Sequence, residues 1–113
     1  MSTAKLDNSH WTSYFDNVSR TIGRKQVKIE VAGLSLGSQV EVRSLTLCGL
    51  TYDAKDDVFE VLTESIGHVI KHPKGIHIDY GVNGLHSIEI HDADNNYQII
   101  RFAEPVAFPT RRQ

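Results

Sequence analysis

Cysteine is almost missing from this 113-residue chain, which contains Cys48 alone. One thiol excludes a disulfide within the chain and a zinc site built on several thiolates. A chain without disulfides suits a reducing compartment, and the N-terminus lacks the apolar stretch of a secretory signal. We therefore expect a cytoplasmic protein.

An excess of charge and a long apolar run are also missing. The formal net charge is −2, and the longest uncharged stretch, residues 31–40, is far shorter than the ~20 residues that a membrane helix needs. The charge balance argues against a nucleic-acid partner, and the short runs argue against a membrane. Hydrophobic residues make up 40% and charged residues 23%, which predicts one globular domain over residues 1–113.

The clearest local pattern is helical. Apolar side chains recur at spacings of three and four, which marks one face of a helix over residues 9–23. Asn8 or Ser9 can cap its start, and Gly23 suits a left-handed stop. The residues of the apolar face are Trp11, Tyr14, Phe15, Val18 and Ile22.

After the helix, apolar and polar residues alternate, which predicts about six or seven strands over residues 26–103. The apolar phase slips between Val42 and Leu45, so we expect a bulge near Arg43–Ser44. Residues 65–72 are ambiguous between helix and strand, and a strand with Ile66, His68 and Ile70 on one face is favoured. His72 should be extended because a proline follows it.

Turn residues join the later strands. Residues 81–84 and 92–95 predict hairpin turns, the second with Asn95 in a left-handed conformation. The last strand should stop at Pro105, and residues 106–113 should form a frayed tail. Together these elements predict an α+β domain: an N-terminal amphipathic helix packed on a bent antiparallel β-meander, or on a partly closed barrel.

The histidines raise the question of a metal site. If the Ile-rich strands pair with Tyr80 opposite His86, His77 faces Glu89 on the outward side and His91 faces a glycine. His86 would then point inward. Because the histidines divide between the two faces, we expect no metal site and no cofactor.

Other chemical motifs fail at named positions. The Asp-rich turn at 92–96 resembles the start of a calcium loop, but Tyr97 stands where that loop needs glycine. Cys48 has no basic neighbour in sequence, and adjacent His86 and Ser87 on a strand point to opposite faces. We therefore expect no catalytic residue, and enzyme is the less favoured class; an enzyme with histidine acid and base is kept as a third alternative.

Several blocks along the chain resemble a small bacterial family described only as a domain of unknown function. The resemblance implies a stand-alone bacterial domain and transfers no activity, cofactor or catalytic residue. The blocks are WTSYF (11–15), EVAG (30–33), QVE (39–41), GLTYD (49–53), His68 with Ile70 and Pro73, LHSIEI (85–90) and DAD (92–94).

The function predicted from these observations is a non-enzymatic binding or protein-interaction module, with a protein partner or a homodimer formed through a sheet edge. The alternative is a small-ligand pocket inside the bent sheet. Its polar groups would be His68, His86, Tyr52 and Tyr80, of which the histidines are polar residues in phase with core isoleucines.

Overall fold

The computed structural model describes residues 2–33, 41–65 and 67–107. These described residues form eight strands, one α-helix and a short 3-10 helix. These are β1 (Ser2–Lys5), the 3-10 helix (Asn8–His10), α1 (Trp11–Ile22), β2 (Lys25–Gly33), β3 (Glu41–Asp53), β4 (Val58–Thr63), β5 (Gly67–Lys71), β6 (Pro73–Gly81), β7 (Gly84–Asp92) and β8 (Asn96–Val106).

All eight strands form one antiparallel sheet in the order β1-β6-β7-β8-β2-β3-β4-β5. Two meanders, β2 to β5 and β6 to β8, are joined where β8 pairs with β2. The α+β class and the antiparallel sheet are confirmed, but the sheet has more strands than the six or seven expected. Among the described strands, β1 and β5 are the two edges and do not pair with each other, so the sheet is open and the predicted partial barrel does not close.

The first strand was missed because its sequence lacks alternating apolar residues. Within Ser2–Lys5 only Ala4 packs against the core, and the rest of the strand is exposed. Its place comes from pairing with β6, in which Lys5 lies opposite His77. Such a pairing between residues far apart in the chain leaves no local pattern.

Helix α1 buries the apolar face that the sequence predicts. Trp11, Phe15, Val18 and Ile22 are buried, and the Phe15 ring meets the Phe59 ring edge to face at 4.8 Å. The start differs from the expected residue 9, because residues 8–10 form the 3-10 helix. Neither Asn8 nor Ser9 supplies the cap. Instead, the Asp7 carboxylate accepts a hydrogen bond from the Ser9 backbone N–H.

The bulge in β3 lies further along the strand than predicted. Pairing with β2 is regular from Glu41 to Leu47, so there is none at Arg43–Ser44. The register against β4 shifts instead between Leu47 and Gly49. The apolar phase slips because Val42 is exposed, not because the backbone changes register.

The connection between β5 and β6 is a single residue, His72. The predicted strand is confirmed over residues 67–71, although Ile66 lies outside the described residues. His72 is left-handed (φ 53°) where an extended conformation was expected. Its backbone N–H donates to the Asp57 carbonyl, and its carbonyl accepts from the Ala93 N–H, which compensates for the unfavourable conformation before proline.

The last strand continues past the predicted stop. It runs through Pro105 to Val106, which is buried opposite Leu85. Val106 therefore belongs to the strand and not to the predicted tail, and residues 108–113 lie outside the described part of the chain. Both hairpin turns are confirmed, with Asn95 at φ 63°.

Candidate metal centre

Four residues on β6 and β7 form a square on the outward face of the sheet. His77 pairs with Glu89, and Gly75 pairs with His91. Successive side chains on a strand point to opposite faces, and the intervening isoleucines lie in the core. The three side chains of the square are thus turned away from the core and share one surface.

These three side chains converge. One ligand atom from each of His77, Glu89 and His91 lies within 4.8 Å of the other two. The His91 Nε2 and the Glu89 Oε2 are 2.7 Å apart, and the ring centroids of the two histidines are 5.8 Å apart. On the other side, Tyr97 from β8 stacks on His91 at 5.6 Å, which fixes the plane of that imidazole.

All three side chains are half-buried. The Nδ1 of His77 is shielded from solvent and has no hydrogen-bond partner among the described residues. A buried polar atom without a partner costs free energy, so its position calls for an explanation such as a bound ion. Two imidazoles and a carboxylate are typical zinc ligands.

The predicted pairs His77–Glu89 and His91–Gly75 are confirmed, but the conclusion that the histidines do not converge is wrong for His77 and His91. The prediction compared only directly opposite residues and left out the diagonal pair, His77 and His91. Diagonal neighbours on paired strands lie roughly 7–8 Å apart at the backbone, within reach of long side chains. That distance could have identified the cluster from the sequence.

His86 does not occupy its predicted place opposite Tyr80. The register shifts there, so Tyr80 pairs with Leu85, and β7 also shifts against β8 between Leu85 and Ser87. His86 is therefore the extra residue of a bulge against β6, whereas against β8 the extra residues, 102–105, belong to β8. A bulge re-aims its side chain, which alternation alone cannot predict.

The other residues predicted to bind a small ligand lie on separate strands. His68 on β5 pairs with Val61, and its Nε2 is buried without a hydrogen-bond partner among the described residues. Tyr80 on β6 packs against the core. Two open grooves of about 410 Å³ occur on the surface, and neither is lined by Tyr52, Tyr80, His68 or His86.

Tyr52 takes part in a different cluster. Its hydroxyl donates to the Asp57 carboxylate at 2.7 Å, and its ring meets Trp11 edge to face at 5.0 Å. The hydrogen bond to Asp57, together with desolvation, raises the pKa of Tyr52 to about 12. The same carboxylate lies 3.3 Å from the His72 Nδ1, so this cluster braces the β5–β6 connection.

A second polar group on the outward face fastens β1 to the sheet. Asp79 accepts hydrogen bonds from the Thr3 hydroxyl at 2.5 Å and from the Ser87 hydroxyl at 3.0 Å. The bond from Thr3, and then the bond from Ser87, lower the pKa of Asp79 against the opposing effect of desolvation. Because Thr3 and Lys5 belong to the same short strand, this anchor also positions Lys5 beside the histidine cluster.

The fold and this surface define a small α+β protein: an open eight-stranded antiparallel sheet, a helix against its inner face, and a histidine–glutamate cluster on its outer face. The chain belongs to the family of unknown function DUF5335, whose model matches residues 2–111. The predicted resemblance to a family of unknown function is thereby confirmed.

The chain is also similar to an uncharacterised protein of the bacterium Aquifex aeolicus (strain VF5). The two are 36% identical over 110 residues, which cover 96% of this chain and 99% of the relative. No solved structure matches the chain. In the described part of the chain, no helix is long and apolar enough to cross a membrane.

Proposed function

We propose that this protein is a metal-binding module that takes a divalent transition-metal ion, zinc by its ligand set, through His77, Glu89 and His91. The observation that carries the proposal is the convergence of the three ligand atoms within 4.8 Å. The His77 Nδ1 adds support, because it is buried, finds no hydrogen-bond partner among the described residues, and would be satisfied if it coordinated the metal.

The geometry requires only a small adjustment. Zinc–nitrogen bonds of about 2.0–2.1 Å and tetrahedral angles place ligand atoms about 3.4 Å apart. The His91 Nε2 and the Glu89 Oε2 are closer than this, at 2.7 Å, and no two of the three ligand atoms are more than 4.8 Å apart. The half-buried side chains can change rotamer, whereas strands β6 and β7 are held by pairing on both sides. Closing the site would separate His91 from its present hydrogen bond with Glu89.

The direct experiment is calorimetric titration of the metal-free protein with zinc. We expect saturable binding of one ion per chain, and binding weakened by more than about tenfold in His77→Gln and in His91→Gln. His10→Gln is the matched control, because His10 is exposed in the 3-10 helix and lies outside the cluster. Affinity that is equal in all three variants, or an absence of saturable binding, would refute the proposal.

Thermal unfolding gives an independent readout. Zinc at 100 times its dissociation constant should stabilise the wild-type protein by about 2.7 kcal/mol, provided that the unfolded chain does not bind it. The His77→Gln variant should lose this shift while its metal-free stability stays near that of the wild type. A shift that persists in His77→Gln would place the zinc elsewhere.

A second candidate function, which we also propose, is self-association through the edge of β5. Val69 on β5 and Leu62 on β4 are diagonal neighbours on the outward face and are 51% and 42% exposed. Among the described strands β5 pairs only with β4, so a second copy could add to its free edge with Val69 near the symmetry axis. A dimer by light scattering that Val69→Lys abolishes, and Val42→Lys does not, would support this; a monomer at micromolar concentration would exclude it.

The small-ligand alternative keeps less support. Its four residues lie on β3, β5, β6 and β7, and the two grooves described above are lined by other residues. A cytoplasmic location agrees with the free, half-buried Cys48 and remains part of the proposal.

A further inference from the structure

The outward square has one corner without a side chain. His77, Glu89 and His91 occupy three corners, and Gly75 occupies the fourth. Three protein ligands leave at least one position of a four-coordinate zinc ion open, as in sites where zinc binds an exogenous ligand. The residue that could have closed the square from the fourth corner is a glycine, which supplies no ligand atom.

Lys5 reaches toward that corner from the neighbouring strand. It pairs with His77, so both side chains rise from the same face of the sheet. A Cβ at position 75 would lie 3.9 Å from the Lys5 Cε and 3.9 Å from the His77 Cε1. The lysine stem and the imidazole therefore flank the space above Gly75.

The charges around this space do not balance once a metal is present. A divalent ion beside Glu89 keeps one positive charge, and the Lys5 ammonium adds another. Within the described residues no carboxylate forms an ion pair with Lys5. Two neighbouring positive charges repel each other unless an anion lies between them.

We propose that the corner above Gly75 is an anion subsite, in which an oxyanion coordinates the metal at its open position and accepts a hydrogen bond from the Lys5 ammonium. The ligand class is a phosphate or carboxylate group, free or carried on a larger molecule. This inference rests on the proposed function and specifies what the metal would hold.

The test uses the full chain loaded with cobalt(II), whose visible spectrum changes when a new ligand enters its coordination sphere. Inorganic phosphate and acetate are titrated separately. We expect at least one of them to change the spectrum saturably, and the stronger of the two identifies the group as phosphoryl or carboxylate. If neither anion changes the spectrum, the inference is wrong.

Two lysine variants then locate the subsite. Lys5→Met keeps the apolar stem and removes the charge, so we expect anion affinity to fall by about tenfold or more. Metal affinity should be unchanged or slightly higher, because a neighbouring positive charge is removed. Lys71→Met is the matched control, since Lys71 is exposed on β5, at the opposite edge of the sheet from β1, and should leave anion affinity as it is. Equal anion affinity in Lys5→Met and wild type would overturn the inference.

A third variant tests the glycine corner. Gly75→Ala introduces a methyl group whose contacts at 3.9 Å are ordinary van der Waals distances, so the fold should tolerate it. We expect weaker anion binding with metal binding retained; unchanged anion binding would contradict the placement. If the wild-type protein binds no metal at all, the proposed function is wrong. If it binds metal but anion binding does not depend on Lys5, only the anion subsite is wrong.

Discussion

The contact between Ser19 and Leu50 joins the helix to the sheet. Pairing of β2 with β3 begins at Lys25, opposite Leu47, so Leu50 lies beyond the end of β2. The Ser19 hydroxyl donates to the Leu50 carbonyl at 2.5 Å and accepts from the Leu50 N–H at 2.9 Å. One helical side chain therefore supplies the two hydrogen bonds that a neighbouring strand would supply.

We predict that Ser19→Ala destabilises the protein by about 2–4 kcal/mol. Leu50 is fully buried, and an orphaned buried donor or acceptor costs about 1–3 kcal/mol each. Alanine returns up to about 0.5 kcal/mol through its higher helix propensity. Because Ser19 is only half-buried, water can reach part of the gap, which keeps the total below the sum of both full costs.

Urea denaturation measures this difference, and Ser13→Ala is the matched control. Ser13 lies on the same helix, is exposed, and donates to the His10 carbonyl at 3.3 Å, so the same substitution there should change stability by less than about 0.5 kcal/mol. Hydrogen exchange of the Leu50 amide should accelerate in Ser19→Ala beyond the change in global stability. Equal stabilities of the two variants would refute the argument that Ser19 replaces a strand partner.

Three other local contacts should have measurable effects on titration or on stability. The hydrogen bond to Asp57 raises the pKa of Tyr52 to about 12, so ultraviolet absorbance should show a tyrosine that titrates near pH 12. The contribution of this hydrogen bond to stability is present below pH 10 and is lost as the pH rises toward 12, and Asp57→Asn should remove the late titration phase. Hydrogen bonds from two hydroxyl groups lower the pKa of Asp79 from 3.8. Asp79 therefore contributes stability at neutral pH that is lost as the pH falls below 3.8. The difference in stability between the wild type and Asp79→Asn should accordingly narrow in acid denaturation. Gly84 has φ 117°, and a Cβ there would lie 2.1 Å from the Val106 carbonyl oxygen, so Gly84→Ala should cost more than about 2 kcal/mol in urea; a smaller loss would mean that β8 can move away.

Local periodicity predicted the elements whose own residues carry a pattern. The helix face around Phe15 and the register of His77 with Glu89 both follow from spacing and turn chemistry. The pairing of β8 with β2 could not be predicted, because it depends on surface complementarity between segments about 70 residues apart in the chain. Strand β1 falls in the same category, and without it Lys5 has no recognisable role.

A register shift accounts for the error at His86. A shift next to His86 turned a predicted inward histidine into a bulge residue, whereas the shift near Leu47 was expected at Arg43–Ser44. Alternation assumes that each residue has one partner, and a bulge breaks that assumption without changing the composition of the strand. The predicted pairs of His77 and His91 were correct because both pairs lie on the same side of the register shift next to His86.

Fully buried side chains, such as Phe15, Phe59 and Ile88, fill the inner face of the sheet. The proposed metal site therefore lies on the outer face. There the ligand residues are carried by β6 and β7, each paired on both sides, whereas Lys5 is carried by the four-residue edge strand β1. Edge strands open more readily than central ones. Opening of β1 would therefore remove the ammonium from the subsite while leaving the metal ligands in place. Weakening the Asp79 anchor should reduce anion binding without reducing metal binding. The anchor holds β1, which carries Lys5 but none of the three metal ligands.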